Sequence, residues 1–182
     1  VLPFTDVEAQ DAQAVRYVYE NGLMAGVTET QFAPDQTLTR GELTSILWKL
    51  AGSPQVAADA AGFVDTAGAD CAGAVAWAAD NGVVSGYGDS RFGPADPVTR
   101  EQMSLMLLRY AQYAGMDTAQ GGMTVREFAD YDQIAGYALE AVAWTVEAGL
   151  LTGTSSDTLA PGQAATRVQA AQALLALSQI AE

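Results

Sequence analysis

Apolar residues recur with helical spacing in three runs along the chain. Each run places side chains at positions i, i+3, i+4 and i+7, which share one face of an α-helix. The runs are Leu43, Ile46, Leu47 and Leu50; Met103, Met106, Leu107 and Tyr110; and Ala170, Ala173, Leu174 and Leu177. This spacing predicts helices at about 39–51, 99–114 and 166–180.

The same four-residue segment opens each of these helices. A threonine followed three residues later by Glu or Gln is typical of a capping box. In this motif the Thr hydroxyl accepts the N3 amide hydrogen bond, and the Glu or Gln side chain accepts one from the N-cap amide. The three segments are Thr39-Arg40-Gly41-Glu42, Thr99-Arg100-Glu101-Gln102 and Thr166-Arg167-Val168-Gln169.

The arginine in this segment is not explained by helix capping. A helix N-terminus carries about half a positive charge, so a cation there costs roughly 0.3–1 kcal/mol. One interpretation is an exposed arginine whose head finds a nearby carboxylate. The other is a guanidinium beside free backbone amides, a site for a carboxylate or phosphate. Three copies favour the anion site, and on this hypothesis removing Arg40 or Arg100 leaves stability unchanged or slightly improved.

Three further motifs recur in the same order around a first helix in each unit, predicted at 10–21, 71–81 and 134–148. An aromatic-x-Asp opening precedes that helix, a glycine pair ends it, and a loop closes on proline. Units this small cannot bury their apolar faces alone, which predicts one all-α, pseudo-threefold body of helix–loop–helix repeats at 1–55, 56–122 and 123–182. The motifs are Phe4/Asp6, Phe63/Asp65 and Phe128/Asp130; Gly22/Gly26, Gly82/Gly86 and Gly149/Gly153; and Phe32/Pro34, Phe92/Pro94 and Leu159/Pro161.

Composition excludes several classes of function. Eight Lys and Arg against 22 Asp and Glu give a net charge of −14, which disfavours nucleic acid and anionic membranes as partners. With no histidine and Cys71 as the single cysteine, we expect no zinc cluster, no Ser-His-Asp or Cys-His catalysis and no internal disulfide. We expect no cofactor and no metal site. The chain shows neither a membrane-spanning apolar run nor an export signal at its start.

The ordered motifs resemble the S-layer homology family, in three tandem repeats. That family has an F-x-D opening, a helix ending in two spaced glycines, a loop ending F-x-P, and T-R-x-E/Q at the next helix. Repeats one and two carry every element, and repeat three departs at Leu159 and in the loop 162–165. This departure predicts that the third repeat contributes least to binding.

The resemblance implies a non-catalytic module of exported bacterial proteins, located at the cell wall or S-layer. Such modules form a spindle and bind a secondary cell-wall polysaccharide, often pyruvylated, in grooves between repeats. The arginines would pair with the ketal carboxylate. The aspartates would accept hydrogen bonds from sugar hydroxyls or brace the groove, and the glycines would let the ligand approach the backbone. The candidates are Arg40, Arg100 and Arg167; Asp6, Asp65 and Asp130; and Gly26, Gly86 and Gly153.

Two other interpretations stay open. Trp77 and Trp144 are candidates for stacking on a sugar, although apolar neighbours on their helices favour core packing. An acidic helical module that binds a protein partner at the cell surface is the alternative function. That alternative gives no reason for a cation repeated at each helix start.

Overall fold

Six α-helices follow one another as three pairs in the computed structural model, which describes residues 1–58, 60, 62–119 and 121–181. Three short 3₁₀ segments precede α5, and no strand is formed by the residues described. The predicted all-α class and the three helix–loop–helix units are confirmed. The helices are α1 (Ala12–Glu20), α2 (Arg40–Leu50), α3 (Ala72–Asp80), α4 (Arg100–Tyr113), α5 (Leu139–Glu147) and α6 (Arg167–Ile180).

The first helix of repeat three, α5, is shorter than its predicted range of 134–148. Ile134 and Ala135 have extended backbone, with ψ of 126° and 140°, and a 3₁₀ turn at Gly136–Ala138 leads into α5. The Ala135 amide donates to the Glu101 carboxylate at 2.9 Å. This bond to α4 holds the segment out of the helix, which is a tertiary effect that periodicity does not report.

The predicted helix signals have the expected geometry at both ends. All three second helices begin with a complete capping box, at Thr39, Thr99 and Thr166. All three first helices are followed by a glycine in the left-handed region, with φ between 68° and 79°. The glycines are Gly22, Gly82 and Gly149.

The three repeats are joined in a closed cycle. The first helix of each repeat packs on the second helix of the preceding one, as α2 with α3, α4 with α5, and α6 with α1. At the centre, three buried residues exchange backbone hydrogen bonds: Leu38 donates to Ala165, Ala165 to Val98, and Val98 to Leu38, at 2.8–3.0 Å. This ring is the pseudo-threefold arrangement that the repeats predict. It supports folding as one cooperative body, which stays a prediction.

In the loop before each second helix, the residue preceding the proline is in the left-handed region. Ala33 and Ala160 have φ of 55° and 50°, and glycine fills the same place at Gly93 with φ of 72°. A Cβ in this region is strained, so Ala33→Gly should raise the free energy of unfolding by about 0.5–1 kcal/mol in urea titrations. The same change at exposed Ala114, whose φ is −75°, should lower it. A loss of stability from Ala33→Gly would contradict this strain.

Candidate functional site

The three candidate aspartates brace the loops of their own repeats. Each carboxylate accepts backbone hydrogen bonds from the two residues before the loop proline, at 2.8–2.9 Å. This is the bracing alternative of the two roles considered, and contact with sugar hydroxyls stays a prediction. The bonds join Asp6 to Phe32 and Ala33, Asp65 to Phe92 and Gly93, and Asp130 to Leu159 and Ala160.

These bonds make stability depend on pH. The amide of Phe92, helped by that of Gly93, holds the pKa of Asp65 below its ordinary 3.8. A lowered folded-state pKa contributes stability above the ordinary value and loses it as pH falls through the folded one. Stability should therefore decline below about pH 4, and Asp65→Asn should flatten this decline. Asp132→Asn, a matched change at an exposed carboxylate, should retain the wild-type slope. Equal slopes for wild type and Asp65→Asn would contradict the assignment.

The candidate glycines lie beneath the phenylalanine of the Phe-x-Asp motif. A Cβ at Gly26 would clash with the Phe4 ring, and one at Gly86 with the Phe63 ring. Gly153 faces Phe128 in the same way. Packing within the repeat therefore explains these glycines, while close approach of a ligand to their backbone stays a prediction.

Each motif arginine reaches across to the next repeat in the cycle. Its Nε and Nη2 atoms donate to two backbone carbonyls of that repeat's loop, and the Nε bonds measure 2.8–2.9 Å. The bonds run from Arg40 to Phe92 and Ser85, from Arg100 to Leu159 and Thr152, and from Arg167 to Phe32 and Ala25. The arginines therefore connect the repeats by donating to main-chain carbonyls, and these hydrogen bonds involve no carboxylate.

These contacts correct two expectations: that the arginine is exposed beside a carboxylate, and that it lies beside free helix amides. The N1 and N2 amides of α2 are not free, because Arg40 N donates to Asp96 O and Gly41 N to Pro94 O. The equivalent amides of α4 and α6 are used in the same way. Arg40 and Arg100 are only 7% and 2% exposed. Removing either should therefore destabilise the fold, and the N1 and N2 amides of these helices are not available to a ligand.

Trp77 and Trp144 are each 3% exposed and belong to the hydrophobic core. Trp77 and Tyr113 form a T-shaped pair, with ring centroids 5.3 Å apart. Neither ring offers a face to a sugar, so the core packing that their neighbours favoured explains both residues. The structure corrects their inclusion among the candidate ligand contacts.

A groove of about 420 Å³ opens between the repeats beside Arg40. Repeat two forms most of it, and repeat three contributes Tyr137. The Arg109 guanidinium lies in the same groove and donates from Nη1 to Ser85 Oγ at 3.2 Å. We call it the Arg40 groove; its lining is Arg40, Val84, Ser85, Gly86, Tyr87, Gln102, Leu105, Met106, Arg109 and Tyr137.

An equivalent groove of about 510 Å³ lies beside Arg167, one step back in the cycle. Lys49 takes the place of Arg109 and Ile46 that of Met106, but two positions are acidic. Glu42 stands where Gln102 stands in the Arg40 groove, and Asp70 where Tyr137 stands. We call this the Arg167 groove.

The third position in the cycle, beside Arg100, has no second cation on α6. Ala176 follows Arg167 at the distance of nine residues at which Arg109 follows Arg100. Gln172 on α6 instead donates to Asp11 at 2.7 Å. The unusual loop of repeat three belongs to this position, because Arg100 and not Arg167 contacts it. The weakest contribution to binding is therefore expected at the position beside Arg100, and not at Arg167.

Comparison with known proteins decides the family. The sequence profile of the S-layer homology domain matches residues 3–44, 62–104 and 127–171. The chain belongs to the S-layer homology domain family. The resemblance to three tandem repeats that was inferred from the motifs is confirmed, and each match lies within one of the three predicted repeats.

Relatives of this S-layer homology domain are large proteins. It is 29% identical to Exoglucanase XynX of Acetivibrio thermocellus over 97% of this chain and 16% of that protein. It is 26% identical to an S-layer protein of Bacillus thuringiensis subsp. finitimus over 93% of this chain and 20% of that protein. It is 35% identical to Surface-layer 125 kDa protein of Lysinibacillus sphaericus over 58% of this chain and 10% of that protein. The chain thus spans a fifth or less of these relatives.

The family and these relatives establish a coarse function. The chain is an anchoring module of the cell surface, associated with the cell wall outside the cell. The relatives named as enzymes match it only through this small region, so their catalytic names do not extend to it. Within the described residues, no helix has the length and apolar content that a membrane span requires.

Sequence reasoning missed the second cation of the grooves. Arg109 and Lys49 lie on the second helices, nine residues after Arg100 and Arg40. This spacing was visible in two of three repeats, but Ala176 breaks it in the third. Tyr87 and Tyr137 were also missed, because they come from different repeats and only the fold brings them together.

Proposed function

We propose that this S-layer homology domain anchors its protein by binding a carboxylate-bearing cell-wall polysaccharide, with a pyruvyl ketal as the acidic group. The carrying observation is the pair of guanidinium groups, Arg40 and Arg109, in one groove whose lining contains no Asp or Glu. In a chain of net charge −14, such a groove concentrates positive charge where an anion can reach it.

Arg40 retains donors for this contact. Its Nε and Nη2 atoms hold the loop carbonyls, and among the described residues Nη1 makes no hydrogen bond. A guanidinium fixed in this way loses little conformational entropy when it binds a carboxylate. The ring of Tyr87 lies 4.8 Å from the Arg40 guanidinium carbon and supports it from one side.

The remaining lining suits a sugar ring. Tyr87 and Tyr137 are 47% and 59% exposed, and each offers an aromatic face. Tyr137 adds a hydroxyl, whereas the Tyr87 hydroxyl donates to Asp96 at 2.8 Å. Gln102 and Ser85 supply donors and acceptors for sugar hydroxyls, and Leu105 and Met106 supply an apolar floor. Mixed apolar and polar linings of this kind are typical of small-ligand sites.

Co-sedimentation with purified, protein-free cell walls tests this proposal. The chain should pellet with untreated walls and remain in solution after mild acid has removed the ketals. Equal pelleting with both preparations would overturn the carboxylate assignment. Absence of binding to any protein-free wall, with binding restored by wall proteins, would instead favour the module as a protein-interaction surface.

A further inference from the structure

The two grooves share a framework but differ in charge. Each has a motif arginine on one side and a cation on the second helix, which are Arg40 with Arg109 and Arg167 with Lys49. The Arg40 groove adds no carboxylate to this pair. The Arg167 groove adds two, from Glu42 and Asp70, so that its lining has no net charge.

Glu42 is held in place at the edge of the Arg167 groove. Its Oε2 atom accepts the Thr39 amide hydrogen bond at 3.3 Å, and its own amide donates to the Thr39 hydroxyl at 3.1 Å. Burial lowers the pKa of Arg167, and the charges of Glu42 and Asp6 act in the opposite direction. Glu42 and Arg167 line the same groove, so the carboxylate offsets part of the arginine charge there.

A carboxylate on the ligand meets different surroundings in the two grooves. In the Arg40 groove both charged side chains attract it. In the Arg167 groove Glu42 and Asp70 repel it and already neutralise the cations. Like charges facing each other are a strong means of rejecting one ligand while accepting another. The same four side chains offer both donors and acceptors, which uncharged sugar units require.

We propose that the two grooves select different units of one polysaccharide. The Arg40 groove takes the carboxylate-bearing unit, and the Arg167 groove takes an uncharged unit because Glu42 and Asp70 reject the acid. This specificity assignment rests on the proposed function. It makes Glu42 and Gln102, which are equivalent residues of the two capping boxes, the positions that determine charge selection.

Exchanging these two residues is a mild change, because each capping box works with either side chain. The N-cap Thr39 is paired with Glu42 at N3, and the N-cap Thr99 is paired with Gln102 at N3 through the same two hydrogen bonds. Glu42→Gln and Gln102→Glu should therefore both fold, which thermal melting can check. Glu20→Gln is the matched charge control, because Glu20 ends α1 outside both grooves and pairs only weakly with Arg16 at 4.0 Å.

Isothermal titration with a methyl glycoside bearing a pyruvyl ketal, and with the methyl ester of that ketal, tests the proposal. The wild type should bind one equivalent of the acid. Glu42→Gln should bind two equivalents of the acid, and the second equivalent should not be seen with the ester. Gln102→Glu should weaken the first site roughly tenfold. Glu20→Gln should match the wild type.

The outcomes distinguish failure of the charge selection from failure of the proposed function. One acid equivalent in both wild type and Glu42→Gln, with weakening by Gln102→Glu, overturns the charge selection alone. Two acid equivalents in the wild type overturn it as well. Equal affinity of wild type and Gln102→Glu for acid and ester, or no binding of either sugar, overturns the proposed function together with the inference.

Discussion

Replacing Arg100 with alanine is expected to lower the free energy of unfolding by about 2–4 kcal/mol, since hydrogen bonds to a charged group contribute roughly 1.5–3 kcal/mol each. The side chain is 2% exposed and donates to the Leu159 and Thr152 carbonyls of the next repeat. Its loss leaves both carbonyls without these donors at a junction between repeats. Urea unfolding monitored by circular dichroism measures the effect.

Two controls give this measurement its meaning. Arg16→Ala removes an exposed arginine on α1 whose ion pair with Glu20 is 4.0 Å long, and should change stability by less than about 0.5 kcal/mol. Arg100→Lys should recover only part of the loss, because a single ammonium group cannot reproduce the fork that spans two carbonyls. Unchanged stability in Arg100→Ala would show that the arginine does not hold the repeats together.

Replacing Arg109 with glutamine is expected to weaken binding to the ketal-bearing polysaccharide by about tenfold to a hundredfold, equivalent to roughly 1.5–3 kcal/mol. Arg109 lines the Arg40 groove, and among the described residues its side chain donates a hydrogen bond only to Ser85. The fold should therefore tolerate the change. Arg40→Ala would be harder to interpret, since Arg40 also binds the loop of repeat two.

Arg91→Gln is the matched control for this binding experiment. Arg91 is also in repeat two, but its 61% exposed side chain pairs with Asp89 at 2.7 Å, away from the lining of the Arg40 groove. It carries the same change of charge and should bind like the wild type. Equal losses in Arg91→Gln and Arg109→Gln would indicate a general electrostatic effect instead of a site.

Local signals predicted the fold well because each is satisfied within a few residues. The Thr39 capping box and the left-handed Gly22 depend on neighbours three to five positions away, and the structure has both. Helix order followed from apolar spacing. The start of α5 was missed because Ala135 is held by Glu101, a residue 34 positions earlier.

The site was harder to predict because its parts come from different repeats. The unfavourable place of Arg40 at a helix start was noticed, but its partner carbonyls at Ser85 and Phe92 lie in the next repeat. The sequence shows that repeats exist without showing which loop faces which helix. The second cation at Arg109 acquired meaning only when the fold placed it beside Arg40.

A crystal structure of the chain with a ketal-bearing methyl glycoside is the most direct test of the central claim. The carboxylate should lie in the Arg40 groove, with an oxygen within about 3.2 Å of guanidinium nitrogens of Arg40 and Arg109. Its sugar ring should contact Tyr87 or Tyr137. A carboxylate bound outside this groove, or within it and out of reach of both arginines, would contradict the account.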